Sequence, residues 1–394
     1  MRTYLAFAAL VSVCCTGLAQ QPPCTVPVTV IAPDLSPLPQ GDAQTMASEW
    51  QRNLGAKKYE LSDGTWDLTR QYLDFYEGLS SKFPWYFQPG PVGGASPRSG
   101  IVTGLTAEAF LAHDKKGPIR IQSAMIDRGP RRIVFVVENG KDINPAGRRI
   151  EAAVITHILS KARPEDSFAL LTARGPRVEF RFGSTREAIR TAAQQLERPP
   201  QGKSGKGGVL DALLEATTWL QPSQPGDSIF LMTLHLEDKH RASFSKVRAA
   251  VAAGRIRVFG FQLGEQVIQI TDAINTAAES LEMQVFGQYS ILNQALLLSR
   301  DSGGDATLEN TQDKKQYILT GDRLRLLQGT GEAMYMEATD VYLLQLDRSG
   351  PDVVLRLSLP LLSHLPWAWM RYPMYMTPCS SPATPTPAQA ETTK

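Results

Sequence analysis

Long runs of a single charge are missing from this chain of 394 residues: 41 basic and 39 acidic side chains are interspersed, for a formal net charge of +2. That even mixture excludes the concentrated basic footprint of a nucleic-acid binder and a polybasic membrane patch. Beyond the first residues, no stretch is apolar for long enough to cross a bilayer. The short sequences that announce common enzyme chemistry are missing too. There is no Gly-x-Ser-x-Gly nucleophile elbow and no His-Glu-x-x-His zinc motif. The glycine-rich QGKSGKGG at 201–208 ends in Gly207-Gly208-Val209 where a phosphate loop needs Gly-Lys-Ser/Thr, so neither the lysine nor the hydroxyl for phosphate and magnesium is in place. Cysteine is scarce, with four residues. None has a histidine nearby in sequence to activate it, so nucleophilic catalysis has no foothold.

What is present begins with MRTYLAFAALVSVCCTGLAQ: one arginine, a short apolar run, then Gly17-Leu18-Ala19 before Gln20. This predicts an export signal over 1–19, removed near Gln20, and a secreted or periplasmic protein. A lipoprotein reading through Cys14 or Cys15 is disfavoured because Val13 is bulkier than such processing usually accepts. Cleavage leaves Cys24 and Cys379, one near each end of the folded region. A disulfide between them is the economical reading and two unpaired thiols the other, with a Cα separation below about 7 Å as the deciding condition.

Residues 20–130 are expected to form an N-terminal region. It holds a strand at Val26–Ala32, an insertion over about 41–100 with helical spacing at Met46–Leu54 and Trp66–Leu79, and a small β module over about 100–130. Trp85, Tyr86 and Phe87 read as plugs at a core edge. From 131 to 305 strands of five to eight residues alternate with helices of ten to fifteen. Arg132–Val137, Phe168–Thr172, Ser228–Leu234 and Ile256–Leu263 are continuous apolar strands of the doubly buried kind. Between them run a helix around Ile150–Ile158, one opened by a capping box at Ser184 and Glu187, one around Val209–Leu220 and one at Ser243–Ala253. A further helix at Ile291–Ser299 ends at the SGG of 302–304. The pattern predicts an α/β fold with a doubly wound, mostly parallel sheet plus an accessory β module built from flanking segments. Residues 306–379 are expected to return as a β segment on that module, with strands at Tyr342–Leu346 and Val353–Leu359. Residues 380–394 are a Pro/Thr-rich tail too polar to pack.

Ligands of such sheets lie at the carboxyl ends of the strands. There the chain carries ENGKD at 138–142, the glycine-rich loop at 202–208, and LHLEDKH at 234–240. His235 and His240 stand five apart, beside Glu237 and Asp238, and do not share a helix face, so a zinc hydrolase is unsupported. Asn139 and Gly140 both tolerate positive φ, which predicts a sharp turn after the first sheet strand.

The span GIVTGLTAEAF through RRIVFVVENG, RPEDSFALLTA, GSTREAIRTAAQQL, GKGGVLDALLEA, SIFLMTLHLED and RIRVFGFQLG resembles a von Willebrand factor A domain, and in particular bacterial secreted proteins of that kind. The resemblance covers roughly residues 100–305, with weaker echoes at VYLLQLD and MRYPMYM. It implies a metal-ion-dependent adhesion site made of Asp-x-Ser-x-Ser, a Thr and an Asp. At the matching positions this chain has Glu138, Gly140 and Asp142, then Gly207, then Leu234. Both hydroxyls of the first motif, the Thr hydroxyl and the distal carboxylate are absent. Magnesium needs near-octahedral oxygen ligation, so the expectation is a degenerate site, no metal, no cofactor and no catalysis. The top loops then bind an extracytoplasmic protein partner through shape and through charges such as Lys141, Arg148, Lys203, Lys206, Lys239 and His240. The alternative is a metal-dependent adhesin or metal-assisted hydrolase using Glu138 and Asp142.

Overall fold

The computed structural model describes residues 24–33, 40–53, 87–89, 95–97, 99–200, 208–234, 243–264, 294–309, 311, 318–365 and 368–380. The first part of the chain contributes β1 (Cys24–Pro33), α1 (Gln40–Asn53), β2 (Phe87–Pro89), β3 (Ala95–Pro97), β4 (Ser99–Ile101), β5 (Phe110–Asp114), β6 (Gly117–Ile119) and β7 (Ile121–Asp127). A single 3-10 turn spans Ala107–Ala109. Next come β8 (Arg132–Glu138), α2 (Pro145–Lys161), β9 (Ser167–Ala173), β10 (Glu179–Phe180), α3 (Arg186–Gln195), α4 (Val209–Trp219), β11 (Ser228–Thr233), α5 (Phe244–Ala253) and β12 (Arg257–Gln262). The chain closes with α6 (Gln294–Ser302), β13 (Ala306–Leu308), α7 (Gly321–Thr339), β14 (Val341–Leu346), β15 (Arg348–Ser349), β16 (Val354–Leu357), α8 (Leu359–His364), β17 (Trp369–Arg371) and β18 (Cys379–Ser380).

Strands β8 to β13 form one sheet in the order β10-β9-β8-β11-β12-β13. Every pair in it is parallel except β10 against β9. A parallel neighbour can be reached only by a crossover, so the intervening helices are forced onto the two faces. The pleat divides the apolar residues between them. Ile133, Phe135, Val137, Phe230 and Met232 face a layer shared with α2, α3 and α7. Val134, Val136, Ile229 and Leu231 face α4, α5 and α6. On the first face Phe168, Phe135, Phe230 and Phe259 make a ring ladder across four strands, with centroids 5.8, 5.9 and 5.0 Å apart. Fully burying each such ring is worth about 1.5–3 kcal/mol, and their pairing locks the register of the central strands.

The accessory module is built from both ends of the chain. β1 pairs with β14, and β14 with β7. β17 and β4 pair with the far half of β1. A second small sheet, β16-β5-β6, packs over it through Phe110, Ala112, Leu355 and Leu357. Cys24 and Cys379 are disulfide-bonded with Cα atoms 5.7 Å apart.

Several expectations need correction. Residues 306–339 do not join the β module: β13 extends the parallel sheet beside β12, and α7 covers α2. The helix signal in α7 is weak because the segment contains Gly329 and Gly331. The second is a packing residue, since a Cβ there would stand 2.7 Å from Val154 Cγ1 on α2. The cap of α3 is Thr185, whose side chain accepts from the Ala188 N–H, and not Ser184. The alternating run Val178–Phe182, which also reads as a strand, shrinks to Glu179–Phe180 and runs antiparallel to β9. The C-terminal end of α6 is as read: Gly303 follows it at φ 77°. The helix expected at Trp66–Leu79, Trp85 and Tyr86, the 265–290 segment and the tail lie outside the described residues.

Two glycines in α7 should respond oppositely to alanine. A methyl group added at Gly329 would meet nothing within 4 Å, so Gly329→Ala should stabilise by about 0.5–1 kcal/mol through helix propensity. Gly331→Ala should destabilise by roughly 1–3 kcal/mol through overpacking on Val154. Urea unfolding of both variants reads the two signs.

Candidate functional site

The carboxyl end of β8 delivers Glu138 to the crown of the sheet with 0% of its surface exposed. A strand flanked by β9 and β11 on both edges leaves such a side chain no route to water. An ionised carboxylate there must be neutralised and hydrogen-bonded internally. Both oxygens are. Oε1 accepts from Arg174 Nη1 at 3.1 Å. Oε2 accepts from the Thr233 hydroxyl at 2.6 Å and from the Leu234 N–H at 2.9 Å. The three donors come from the ends of β9 and β11, so one carboxylate ties three adjacent strands together.

Arg174 reaches Glu138 from a left-handed backbone, φ 58°, immediately after β9. Non-glycine residues adopt that region uncommonly. The next residue, Gly175, explains the crowding: a Cβ on it would lie 2.0 Å from the Asn139 carbonyl oxygen. The ends of β8 and β9 therefore touch backbone to backbone. Gly264 after β12 does the same against Leu234 O, at 2.1 Å.

Behind Glu138, Arg148 on α2 is 2% exposed. It donates to Asn139 Oδ1 at 2.8 Å and to the Gly140 carbonyl. Burial pushes its guanidinium down from its ordinary value, against the opposing pull of Glu151. Glu151, one turn further along α2, is 1% exposed and neither carboxyl oxygen has a hydrogen-bond partner. Burial, reinforced by the Glu138 charge and opposed by Arg148, holds it well above the usual carboxylate range. The N-terminus of α2 is closed by Asn144, whose Oδ1 accepts from Gly147 N at 2.8 Å while its Nδ2 donates to the Thr311 carbonyl. Past β13, buried Glu309 is paired with Arg323, Nε to Oε1 at 2.9 Å.

Glu138 and Asp142 are thus not a pair. Glu138 is buried and turned onto β9 and β11, whereas Asp142 and Lys141 are exposed. The positive φ expected of Asn139 and Gly140 is not adopted by either; the chain leaves β8 with Asn139 N–H bonded to Ala173 O at 2.7 Å, still following its neighbour strand. Arg148, read as a surface charge, is a buried strut. Leu234 is 3% exposed and contributes its N–H, not an oxygen. Gly207, His235, Glu237 and Asp238, with Lys203, Lys206, Lys239 and His240, lie outside the described residues. Among the described residues no group of three or more His, Cys, Asp or Glu is arranged to hold a metal ion. Sequence reasoning missed Arg174, Thr233 and Glu151. The one available signal was a basic residue directly after an apolar strand, beside the strand that ends in Glu138.

Arg174→Met should cost roughly 3–5 kcal/mol, because it leaves a buried carboxylate without its cation, and Glu138→Gln combined with Arg174→Met should recover part of that loss. Chemical denaturation of the single and double variants measures it. For Glu151 the folded state binds its proton more tightly than the unfolded chain. Its contribution to stability is therefore full below about pH 4.5 and falls as pH rises toward the folded-state value. Glu151→Gln removes that dependence, so the variant should gain stability over the parent as pH is raised from 4.5 to 8, read from urea midpoints at each pH.

No family model matches the chain, and no curated protein does. Among solved structures it is similar to proximal thread matrix protein 1 from the mussel byssus, with 13% identity over 59% of this chain and 50% of that one and a TM-score of 0.38. A von Willebrand factor type A protein from Catenulispora acidiphila shares 10% identity over 63% of this chain and 52% of that one, TM-score 0.35. The BatB protein from Bacteroides thetaiotaomicron shares 16% over 53% and 99%, TM-score 0.34. The chain spans about half the length of the first two. With its mostly parallel sheet in the order β10-β9-β8-β11-β12-β13 and helices on both faces, the chain has a doubly wound α/β fold.

Proposed function

We propose that this chain is an exported, non-enzymatic protein-binding module whose von Willebrand factor A-like crown works without a metal ion. The observation that carries the reading is the saturation of Glu138. A divalent cation at this position would have to displace the Arg174 guanidinium, and then find further oxygen ligands where the chain offers Gly140 and the Leu234 N–H. Such an ion demands about six oxygens, and the residues present do not fit it. Arg174 already supplies the positive charge that the carboxylate requires.

Recognition by such a crown is direct. The described side chains that reach solvent around it include Lys141, Asp142, Pro145 and Arg149, held on a floor of backbone contacts, which is the arrangement in which loops carry binding. Export is supported by the leader-like N-terminal sequence and by the Cys24–Cys379 disulfide, a bond that persists in oxidising compartments. Among the described residues no helix is long and apolar enough to cross a membrane.

Calorimetric titration of the purified protein with magnesium, manganese, calcium and zinc salts should give no stoichiometric heat; a one-to-one isotherm abolished by Glu138→Gln would instead establish the metal-dependent reading. Charge reversal at Lys141, Asp142 and Arg149 together should deplete the proteins captured from envelope extract or culture fluid while leaving the unfolding midpoint within about 0.5 kcal/mol of the parent. Identical capture by parent and variant would remove the crown from the binding surface.

A further inference from the structure

The last described residues do not simply end the β module. After β17, which pairs with Thr29–Ile31 of β1, the chain crosses the opposite end of the α/β unit from the crown, near the start of β12 and the end of α6. It meets that surface at a series of fitted contacts. At the root of the crossing, Arg371 Nη1 lies 2.6 Å from Asp305 Oδ1, and its Nε 3.1 Å from Glu337 Oε2. Gly303 sits so close beneath that a Cβ on it would stand 2.6 Å from Pro373 N. Further on, the Tyr375 N–H donates to the Asp301 carbonyl at 3.1 Å. The Tyr375 ring lies under the Arg248 guanidinium, 4.2 Å from its centroid, and Arg248 itself is 2.7 Å from the buried Asp301 carboxylate.

Beneath this crossing is a small recess of about 30 Å³, walled by Val26, Val251, Ile256 and Asp301 and roofed by Tyr375 and Met376. The roof ends at Cys379, where a two-residue strand pairs with β15. Ordering these nine residues costs about 1–2 kcal/mol of backbone entropy each, against which stand the contacts above and two residue pairs with β15. The covalent bond to Cys24 removes much of that cost by closing the segment into a loop whose two ends are both anchored on β1.

We propose that residues 372–380 are a thiol-controlled lid: the Cys24–Cys379 bond holds them over the recess, and its reduction by an external dithiol opens the recess while both folded units stay intact. Cys24 is fully buried and Cys379 partly exposed, so the incoming thiolate attacks Cys379 Sγ. Cys24 leaves as a thiolate and takes up a proton. The second thiol of the dithiol then resolves the mixed disulfide, so that the reductant leaves as its own cyclic disulfide and the protein holds two thiols. Arg371 keeps the root of the lid in place through Asp305 and Glu337, so opening is confined to the segment beyond it.

Hydrogen exchange read by mass spectrometry tests this on the full chain, oxidised and after dithiothreitol, with alkylation mass shifts reporting the thiol count. Exchange in peptides covering 372–380 and 247–256 should speed up about tenfold or more on reduction, with β8 and β11 unchanged. Tyr375→Ala in the oxidised protein should raise exchange in 247–256 without breaking the bond. Three results would each overturn the lid: a disulfide that resists the reagent in the folded protein, unchanged exchange over 372–380 after reduction, or an acceleration equally large in β8 and β11.

Discussion

A carboxylate sealed at the end of the central strand dictates how the crown of this protein is built. Glu138 has no access to water, so both of its carboxylate oxygens need donors from the protein. Arg174, Thr233 and the Leu234 amide supply them, and each belongs to a neighbouring strand end. The left-handed backbone at Arg174, the bare Cα of Gly175 against Asn139 and the buried Arg148 brace all serve that closure. The outcome is a crown whose central acid is already committed to partners within the protein. An internal guanidinium is fixed in number and place, whereas a bound ion is exchangeable.

The same use of buried arginine recurs at the other end of the sheet, where the two structural units meet. Arg131 precedes β8 and is 1% exposed; it reaches Asp127 Oδ2 at 2.8 Å and the Thr339 carbonyl at 2.8 Å. Arg257 opens β12 and is 0% exposed; it donates to Gly303 O at 2.8 Å and Glu337 O at 2.6 Å and lies over the Phe259 ring. Burial pushes the Arg257 guanidinium down to about 10 and the Glu337 carboxyl up to about 7. Breaking such contacts strands a charge without water, so they enforce one orientation of the β module more than they add net stability. Planar guanidinium suits the task because its several donors satisfy scattered carbonyls at once.

Much of the α/β core was legible as text. Strands β8, β9, β11 and β12 are unbroken apolar runs, and the start of α5 at Ser243 and the end of α6 at Gly303 were marked in the text. The helix α7 was not legible, because Gly329 and Gly331 weaken its propensity while close packing on α2 more than compensates. The roles of Arg148 and Arg174 were not legible either. Arginine is ordinarily a surface residue, and no spacing rule brings position 174 to position 138. Asn139-Gly140 misled for a related reason: a dipeptide that permits a left-handed turn does not compel one when the backbone can stay bonded to β9.

By itself the sequence determined the alternation of strand and helix, the two-faced apolar pattern that forces a doubly wound sheet, and the absence of a hydroxyl or carboxylate side chain at Gly140 and Leu234. Those are local properties, set by side-chain period and by the chemistry at single positions. Only the tertiary structure decided that Glu138 is buried, that Arg174 is its cation, that residues 306–339 belong to the α/β unit, and that the two distant cysteines meet. Each of these depends on which atoms exclude water from which others, and that is settled by packing between segments far apart in the chain.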